Sequence, residues 1–464
     1  MSSDTLDPAN LEAIFKAYDV RGTVPDQLDD ELARLTGTAF VLVTGAPTVV
    51  VGHDMRPSSP GMAQAFAEGA TRAGADVVMI GLASTDQLYF ASGHLGHAGV
   101  MFTASHNPAQ YNGMKMCRAG AQPVGKETGL LEIRDMVALH ATTGATMVSD
   151  DVTPGTISEQ DVLGAYADHL LTLAPVRGRR LKVVVDAGNG MAGLTAPVVF
   201  DRIGADQVEL VPMYFELDGS FPNHEANPIE PENVADLQKR VLEVGADVGL
   251  AFDGDADRCF LVDERGRAVS PSTLTALIAA RELAKEPGAT VIHNLITSRG
   301  VPELVAELGG TAVRSRVGHS FIKATMAETD AIFGGEHSGH FYFRDFWRAD
   351  SGMLAALHAL AALAESDGTL SELLARYERY PASGEINSTV ADQAAVLRLL
   401  EEQYAGAEGV ELDHLDGLTV THADWWFNVR ASNTEPLLRL NAEGKDEATM
   451  TEIRDAVLST IRSN

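Results

Sequence analysis

The chain is short of positive charge. Its 464 residues carry 35 lysines and arginines against 65 acids, a formal charge of −30. That balance argues against a nucleic-acid backbone or an anionic membrane surface as partner, since either would be repelled. Cysteine is nearly missing: Cys117 and Cys259 stand in no metal-ligand or redox spacing, so two reduced, buried thiols are expected. Long apolar runs are missing as well. The most apolar stretch, Gly352–Ala364, is too short to span a bilayer and contains His358, so it reads as a buried helix. Met1–Asn10 holds Asp4 and Asp7 with no basic residue and no apolar centre, which is not a signal-peptide pattern. A soluble, cytoplasmic protein is the expectation.

What is present is an ordinary globular composition, 45% hydrophobic and 22% charged. The length exceeds what one core organises, so two to four domains are expected. Strand-like runs alternate with helix-like stretches: Thr48–Val51 then Ser59–Ala73, Leu181–Val185 then Ala192–Ile203, Glu232–Val244 then Val248–Phe252, and onward through Ala289–His293, Gly300–Leu308, Ala312–Arg314 and Phe321–Glu328. Such alternation predicts α/β domains with largely parallel, doubly wound sheets. Loop-rich breaks divide the chain into 1–152, 153–262, 263–375 and 376–464. The last segment is less regular, and Trp425–Arg430 with Leu437–Ala442 reads as a hairpin in an α+β unit.

Four loops carry chemistry, each after a strand, where open α/β sheets bind ligands. The first is Thr103-Ala104-Ser105-His106-Asn107-Pro108, which presents a serine fit to act as nucleophile or phosphate carrier, or simply as a cap in a turn. The second, Asp253-Gly254-Asp255-Ala256-Asp257-Arg258, reads as an extended turn whose alternate carboxylates converge on one hard cation, magnesium rather than zinc. Arg258 beside those acids suggests a phosphate close to the metal. The third, Gly335-Glu336-His337-Ser338-Gly339-His340, is expected after a strand at Ala331–Phe333 and suits sugar hydroxyls, though a bland turn has the same composition. The fourth, Arg430-Ala431-Ser432-Asn433-Thr434-Glu435-Pro436 with Arg439 beyond it, has the donors of a phosphate cradle. A competing signal is Gly188-Asn189-Gly190-Met191-Ala192-Gly193, which fits a dinucleotide-binding turn with Glu209 at ribose spacing. It would make the chain an NAD-dependent dehydrogenase.

In this order, and with Lys16-Ala17-Tyr18-Asp19-Val20-Arg21-Gly22 near the start, the loops resemble the α-D-phosphohexomutase superfamily, phosphomannomutase/phosphoglucomutase type, over essentially the whole chain. The resemblance implies three related α/β domains and a C-terminal α+β lid around a central cleft. It implies that Ser105 is a phosphoserine and that Asp253, Asp255 and Asp257 hold Mg2+ together with the Ser105 phosphoryl group. Arg21, Lys115 and Arg258 would surround the transferring phosphoryl, with Lys115, Arg258 and His340 as proton-transfer candidates. Tyr18, Gly318, His319, Glu336 and Ser338 would contact the sugar phosphate, and Arg430, Ser432, Asn433 and Thr434 the phosphate that is not reacting. The implied reaction interconverts mannose 6-phosphate and mannose 1-phosphate through a hexose 1,6-bisphosphate. Glucose or glucosamine phosphates are the alternatives, and a non-catalytic sugar-phosphate sensor is a remoter one. The sequence leaves monomer or dimer undetermined. In one place the pattern departs from the branch: after Ala289–His293, Asn294-Leu295-Ile296-Thr297-Ser298-Arg299 stands where a basic sugar contact is expected, with only the displaced Arg299 to substitute.

Overall fold

Continuous apolar runs set the middle of the first two sheets. Thr48–His53, Leu181–Asp186 and Val248–Phe252 are buried along almost their whole length, as strands covered on both faces must be. The computed structural model describes residues 4–431 and 437–463. Two units are each compact: Met1–Ser270 with Ser338–Leu373, and Pro271–His337 with Leu374–Asn464.

In the first unit, the N-terminal sheet has the order Val20–Thr23, Tyr111–Arg118, Ala98–Phe102, Thr48–His53, Asp76–Leu82, Ile157–Glu159. Its centre is parallel. Tyr111–Arg118 then runs antiparallel to Ala98–Phe102, and Val20–Thr23 antiparallel to Tyr111–Arg118. The next sheet repeats the device: Leu181–Asp186 is parallel to Val208–Met213 and Val248–Phe252, whereas Cys259–Asp263 returns antiparallel to Val248–Phe252. The sheets are therefore mixed, not largely parallel. The connections after Phe102 and Phe252 are too short for a crossover helix, so the chain must fold back as a hairpin. Both hairpin turns are the acid- and serine-bearing loops.

Gly352–Ala364 is a helix buried over all 13 residues and capped by Ser351. No helix among the described residues is long and apolar enough to cross a membrane. Cys117 and Cys259 are buried, and neither is in a disulfide among the described residues.

Asp86, buried in the helix Thr85–Leu95, accepts hydrogen bonds from Tyr166 Oη at 2.7 Å, Ser351 Oγ at 2.6 Å, and Ser84. Burial lifts its carboxyl from 3.8 to about 6 against the pull of those hydroxyls. Between these two values the folded chain holds a proton that the unfolded chain has released, so stability from this group is greatest below 3.8 and declines as pH rises through 6. A gap of that size is worth about 3 kcal/mol. Asp86→Asn is expected to remove this slope: the difference in melting temperature between parent and variant should change between about pH 4 and 6 and stay flat above. A difference independent of pH across that range would contradict the assignment.

In the second unit, Thr290–Asn294 is parallel to Thr311–Ser315 and Phe333–Gly335. The strand expected at Ala331–Phe333 lies two residues later. Asp330 ends the preceding helix in a left-handed conformation and the Ala331 N–H still bonds back to Met326, so ladder pairing is delayed. The C-terminal sheet is antiparallel throughout, in the order Ala382–Thr389, Leu437–Gly444, Trp425–Ala431, Leu418–Thr421, Glu411–Asp413. With the helices Gln393–Tyr404 and Glu447–Arg462 it forms the expected α+β segment.

Candidate active site

The strand register of the first unit brings its distant motifs together. Lys115 pairs with Met101 and Arg21 with Gly113, so from the antiparallel strands Arg21 reaches the serine loop and Lys115 the aspartate loop. Ser105 lies at the turn in a left-handed conformation, φ 51°, uncommon for a residue with a side chain. Its N–H donates to Thr103 Oγ1 at 2.9 Å. Its Oγ donates to Asp253 Oδ2 at 2.8 Å and lies 3.1 Å from His106 Nδ1. The residue is only 4% exposed, so this hydroxyl is buried. Desolvation, with Arg258 and Arg21 nearby, holds the His106 imidazole well below its usual pKa, so a neutral ring faces Ser105.

Asp253, Asp255 and Asp257 are buried, each offering an oxygen within 4.8 Å of the others. The loop is not the extended turn expected from alternation, because Ala256 is left-handed at φ 61°. That fold, rather than a pleat, is what gathers the three carboxylates. Gly254 makes it possible: a Cβ there would lie 2.4 Å from the Ser105 carbonyl oxygen. Cations balance the acids. Arg258 Nε donates to Asp253 Oδ2 at 2.8 Å, and Lys115 Nζ to Asp255 and Asp257 at 2.7 and 2.6 Å. Burial raises Asp253 to about 7, with Arg258 opposing and the other two acids adding. Burial would raise Asp255 as well, but Lys115 wins and holds it well below the usual range. Burial alone would lower the Lys115 pKa; the same two carboxylates raise it instead, so Lys115 is a fixed ammonium in this arrangement.

Oδ1 of Asp255 and Oδ1 of Asp257 are buried without a hydrogen-bond partner, although each residue's other oxygen is used. Buried oxygens left over in a carboxylate-only cluster fit a hard divalent cation. His340 joins the group through a bridge between its backbone and that of Arg258, placing Nε2 3.6 Å from Asp257 Oδ1. Its Nδ1 is 3.0 Å from Ser338 Oγ. Arg21 donates to Asn107 Oδ1 at 2.7 Å and to Asp19 at 2.6 Å. Tyr18 is half-buried beside it in the chain.

The second unit holds the other motif residues. Glu336 is buried, and its Oε1 accepts from the Gly318 N–H at 3.1 Å and from Asn294 Nδ2 at 3.4 Å. Gly318 opens the helix His319–Thr329 at φ 131°; the His319 side chain lies outside the described residues. Arg430 and Arg439 face each other across the hairpin, and Glu385 joins both, at 2.8 and 3.0 Å. Nε of each arginine is buried without a hydrogen-bond partner. Ser432, Asn433 and Thr434 lie outside the described residues. Arg299, the displaced residue that could substitute for the missing basic contact, has protein partners. It donates to the Ala423 carbonyl at 2.9 Å, lies 3.6 Å from Glu443 and packs 4.1 Å over the Tyr380 ring.

The glycine turn 188–193 is not a nucleotide loop. Met191 N–H donates to the Gly254 carbonyl at 2.9 Å, and Gly188 N–H to Asp186, so the turn buttresses the aspartate loop. Glu209, the presumed ribose acid, pairs instead with Arg180 and Lys182 at 3.5 Å. Thr85, which sequence reasoning missed, donates its hydroxyl to Asp255 Oδ2 at 2.6 Å. No motif marks it; it arrives on a helix start from another part of the fold.

The chain matches the four successive parts of one family: Phosphoglucomutase/phosphomannomutase, alpha/beta/alpha domain I over 12–140, domain II over 164–266, domain III over 270–380, and the C-terminal domain over 385–460. It is 43% identical over 456 residues to a Xanthomonas campestris protein named "Phosphohexose mutases", covering 96% of this chain and 98% of that one. It is 41% identical over 453 residues to the phosphomannomutase of Escherichia coli K12, with the same coverage of each. The solved structure of a phosphoglucomutase/phosphomannomutase family protein from Burkholderia thailandensis superposes with a TM-score of 0.86 at 32% identity, covering 97% of both chains. A single serine held against three buried aspartates, in a chain matched along its length by these four domains, identifies a phosphohexomutase of the phosphoglucomutase/phosphomannomutase family.

Proposed function

We propose that the enzyme interconverts mannose 6-phosphate and mannose 1-phosphate, with Ser105 carrying the transferring phosphoryl group. The observation that carries this reading is the Ser105 Oγ, buried 2.8 Å from Asp253 in a cluster ringed by Lys115 and Arg258. Phosphoryl transfer asks for positioning and charge neutralisation more than for covalent chemistry, and these residues offer both. Asp253, Asp255 and Asp257 would hold Mg2+, which when bound neutralises charge on the phosphoryl oxygens. Ser105 donates its phosphoryl to the free hydroxyl of the sugar phosphate, giving the hexose 1,6-bisphosphate. After the bisphosphate turns over, its other phosphate returns to Ser105. Lys115, Arg258 and Arg21 stabilise the equatorial charge, and His340 is the group best placed to hold the hydroxyl proton, next to Asp257. Glu336 and Ser338 read sugar hydroxyls, and Tyr18, Gly318 and His319 contact the sugar phosphate. The four domains are taken as 1–152, 153–262, 263–375 and 376–464.

Arg430, with Ser432, Asn433 and Thr434, takes the phosphate that is not reacting. One cradle must serve both orientations of the sugar. Arg430→Ala is therefore expected to lower kcat/KM on both the 1-phosphate and the 6-phosphate, each by about 30-fold, the equivalent of about 2 kcal/mol. A loss confined to one of the two would argue for separate phosphate sites.

Glucosamine is disfavoured by Tyr111-Asn112-Gly113-Met114-Lys115 and by Asn433, both similar to the phosphomannomutase/phosphoglucomutase branch, and mannose is favoured over glucose by family resemblance alone. Asn112 is no sugar reader: its amide donates to Ser58 and Ser59 at 2.8 and 2.9 Å, and its oxygen accepts from the Gly113 N–H at 2.8 Å. It therefore marks the branch through loop structure. Mannose and glucose differ in one hydroxyl, and discrimination between them needs a dedicated buried partner. Measuring kcat/KM on mannose 1-phosphate, glucose 1-phosphate and glucosamine 1-phosphate decides the substrate. Mannose and glucose should be turned over well and glucosamine poorly; a clear preference for the amino sugar would overturn the assignment.

A further inference from the structure

Arg56 has no place in the motifs, yet it is the most heavily engaged side chain around the serine loop. Its Nε donates to Asp54 Oδ2 at 3.2 Å. Nη1 donates to the carbonyls of Pro108 and Tyr111, both at 2.9 Å, and Nη2 to those of Ser105 at 3.0 Å and Asn107 at 2.7 Å. A guanidinium has five N–H donors in a fixed fork, and here each has an acceptor. Three of the five acceptors are backbone oxygens of the loop that carries Ser105, and a fourth is that of Tyr111, the first residue of the strand that follows it. The side chains of Arg56 and Asp54 are both 0% exposed. Asp54 is itself fixed by the Arg56 N–H at 3.0 Å and Ser59 Oγ at 2.6 Å. The Phe221 ring packs against the guanidinium, 5.2 Å from Arg56 Cζ, and Gly219 packs against the Arg56 backbone, where a Cβ would approach Cα to 2.7 Å.

A buried ion pair is weak evidence for stability, because desolvation offsets the attraction. The local geometry gives this one a different purpose. Ser105 sits at φ 51° with its carbonyl turned back to Arg56 and its Oγ turned forward to Asp253. A side-chain-bearing residue holds such a conformation only where its surroundings impose it. Arg21 grips the opposite side of the loop through Asn107 Oδ1, leaving Asn107 fixed by arginines at both its backbone and its side chain.

We propose that Arg56 is a positioning residue for phosphoryl transfer: from behind the serine loop it holds the Ser105 backbone in the one conformation that aims Oγ at the aspartate cluster. The inference rests on Ser105 being the phosphoryl carrier. Lysine cannot replace it, since an ammonium is a point charge with three donors and cannot span four carbonyls. Small misplacement of a reacting atom costs rate more than affinity.

Arg56→Lys is expected to lower kcat by about 30-fold or more while KM for the hexose phosphate stays within about threefold. Arg56→Gly should lose more, and methylguanidinium added to it should recover kcat at least about tenfold, since the cavity matches the missing fork. Asp54→Asn, which leaves the four carbonyl contacts and weakens only the Nε anchor, should show a smaller loss of the same kind and keeps the test open if Arg56→Gly does not fold. Val137→Ala, a core change in the helix Leu130–Thr143, serves as a control for lost stability and should keep kcat within about threefold. The proposal is overturned if Arg56→Lys keeps parental kcat, if its loss appears in KM, or if Val137→Ala at matched melting temperature loses as much. Turnover by Ser105→Ala would instead sink the phosphoserine reading itself; an inactive Ser105→Ala beside an unimpaired Arg56→Lys would sink only the positioning role.

Discussion

Ser105→Ala is expected to bring mutase turnover down to background, a loss of at least about 10⁴-fold, because it removes the atom on which the phosphoryl group rides between half-reactions. Lys115 and Arg258 cannot substitute, since both are tied to carboxylates. The fold should survive. The hydroxyl is buried rather than exposed, so the substitution does remove a hydrogen bond to Asp253, yet Arg258 still satisfies that carboxylate through Nε at 2.8 Å and its backbone N–H at 3.1 Å. Loss of one such bond costs about 1 kcal/mol. A variant with a parental circular dichroism spectrum and no mutase activity is the expected result; a folded variant with near-parental turnover would remove Ser105 from the mechanism.

Asp255→Asn is the second large effect. Asp255 is 0% exposed, with Oδ2 accepting from Lys115 at 2.7 Å and from Thr85 at 2.6 Å while Oδ1 is left for a cation. The amide keeps the shape and loses the charge. A metal held by three carboxylates loses a third of its neutralising charge, and Lys115 loses one of its two counter-charges. We expect kcat to fall by about 10³-fold, the equivalent of about 4 kcal/mol, with half-saturating magnesium rising at least about tenfold. Thr85→Val, which removes only the supporting hydroxyl, should give a much smaller shift in the same direction. Magnesium titration of the three proteins after chelation checks this; parental activity indifferent to chelator would contradict the metal assignment.

What the sequence made legible were elements with a strong local signal. The strands Thr48–His53, Leu181–Asp186 and Val248–Phe252 and the helix Ala192–Ile203 follow from apolar runs and periodicity, even with Pro197 inside that helix. The buried helix Gly352–Ala364 was legible for the same reason. Pairing was legible for the hairpin of Trp425–Arg430 with Leu437–Ala442. The antiparallel return of Tyr111–Arg118 and Cys259–Asp263 was not read, although the short connections before them require it, and that return carries Lys115 to Asp255 and forms the aspartate turn. Backbone handedness was hidden too, since Ala256 and Ser105 have no intrinsic preference for positive φ and adopt it under tertiary constraint. Residues whose partners lie far away in the chain, Arg56 and Thr85, carry no motif at all. Partners of Arg299 were hidden in the same way: charge at about the right position marked it as a possible sugar contact, while Glu443 and Tyr380, distant in the chain, engage it.

The central claim is that the phosphoryl group delivered to the sugar comes from Ser105 and is replaced by the sugar's own. Enzyme labelled with radioactive phosphate on Ser105, mixed with one equivalent of unlabelled mannose 1-phosphate and quenched in time, tests it directly. Label should leave the protein at the rate of turnover and appear in mannose 6-phosphate, while intact-mass spectrometry finds Ser105 still phosphorylated with unlabelled phosphate. Product that forms at the turnover rate while the label stays on Ser105 would contradict the account.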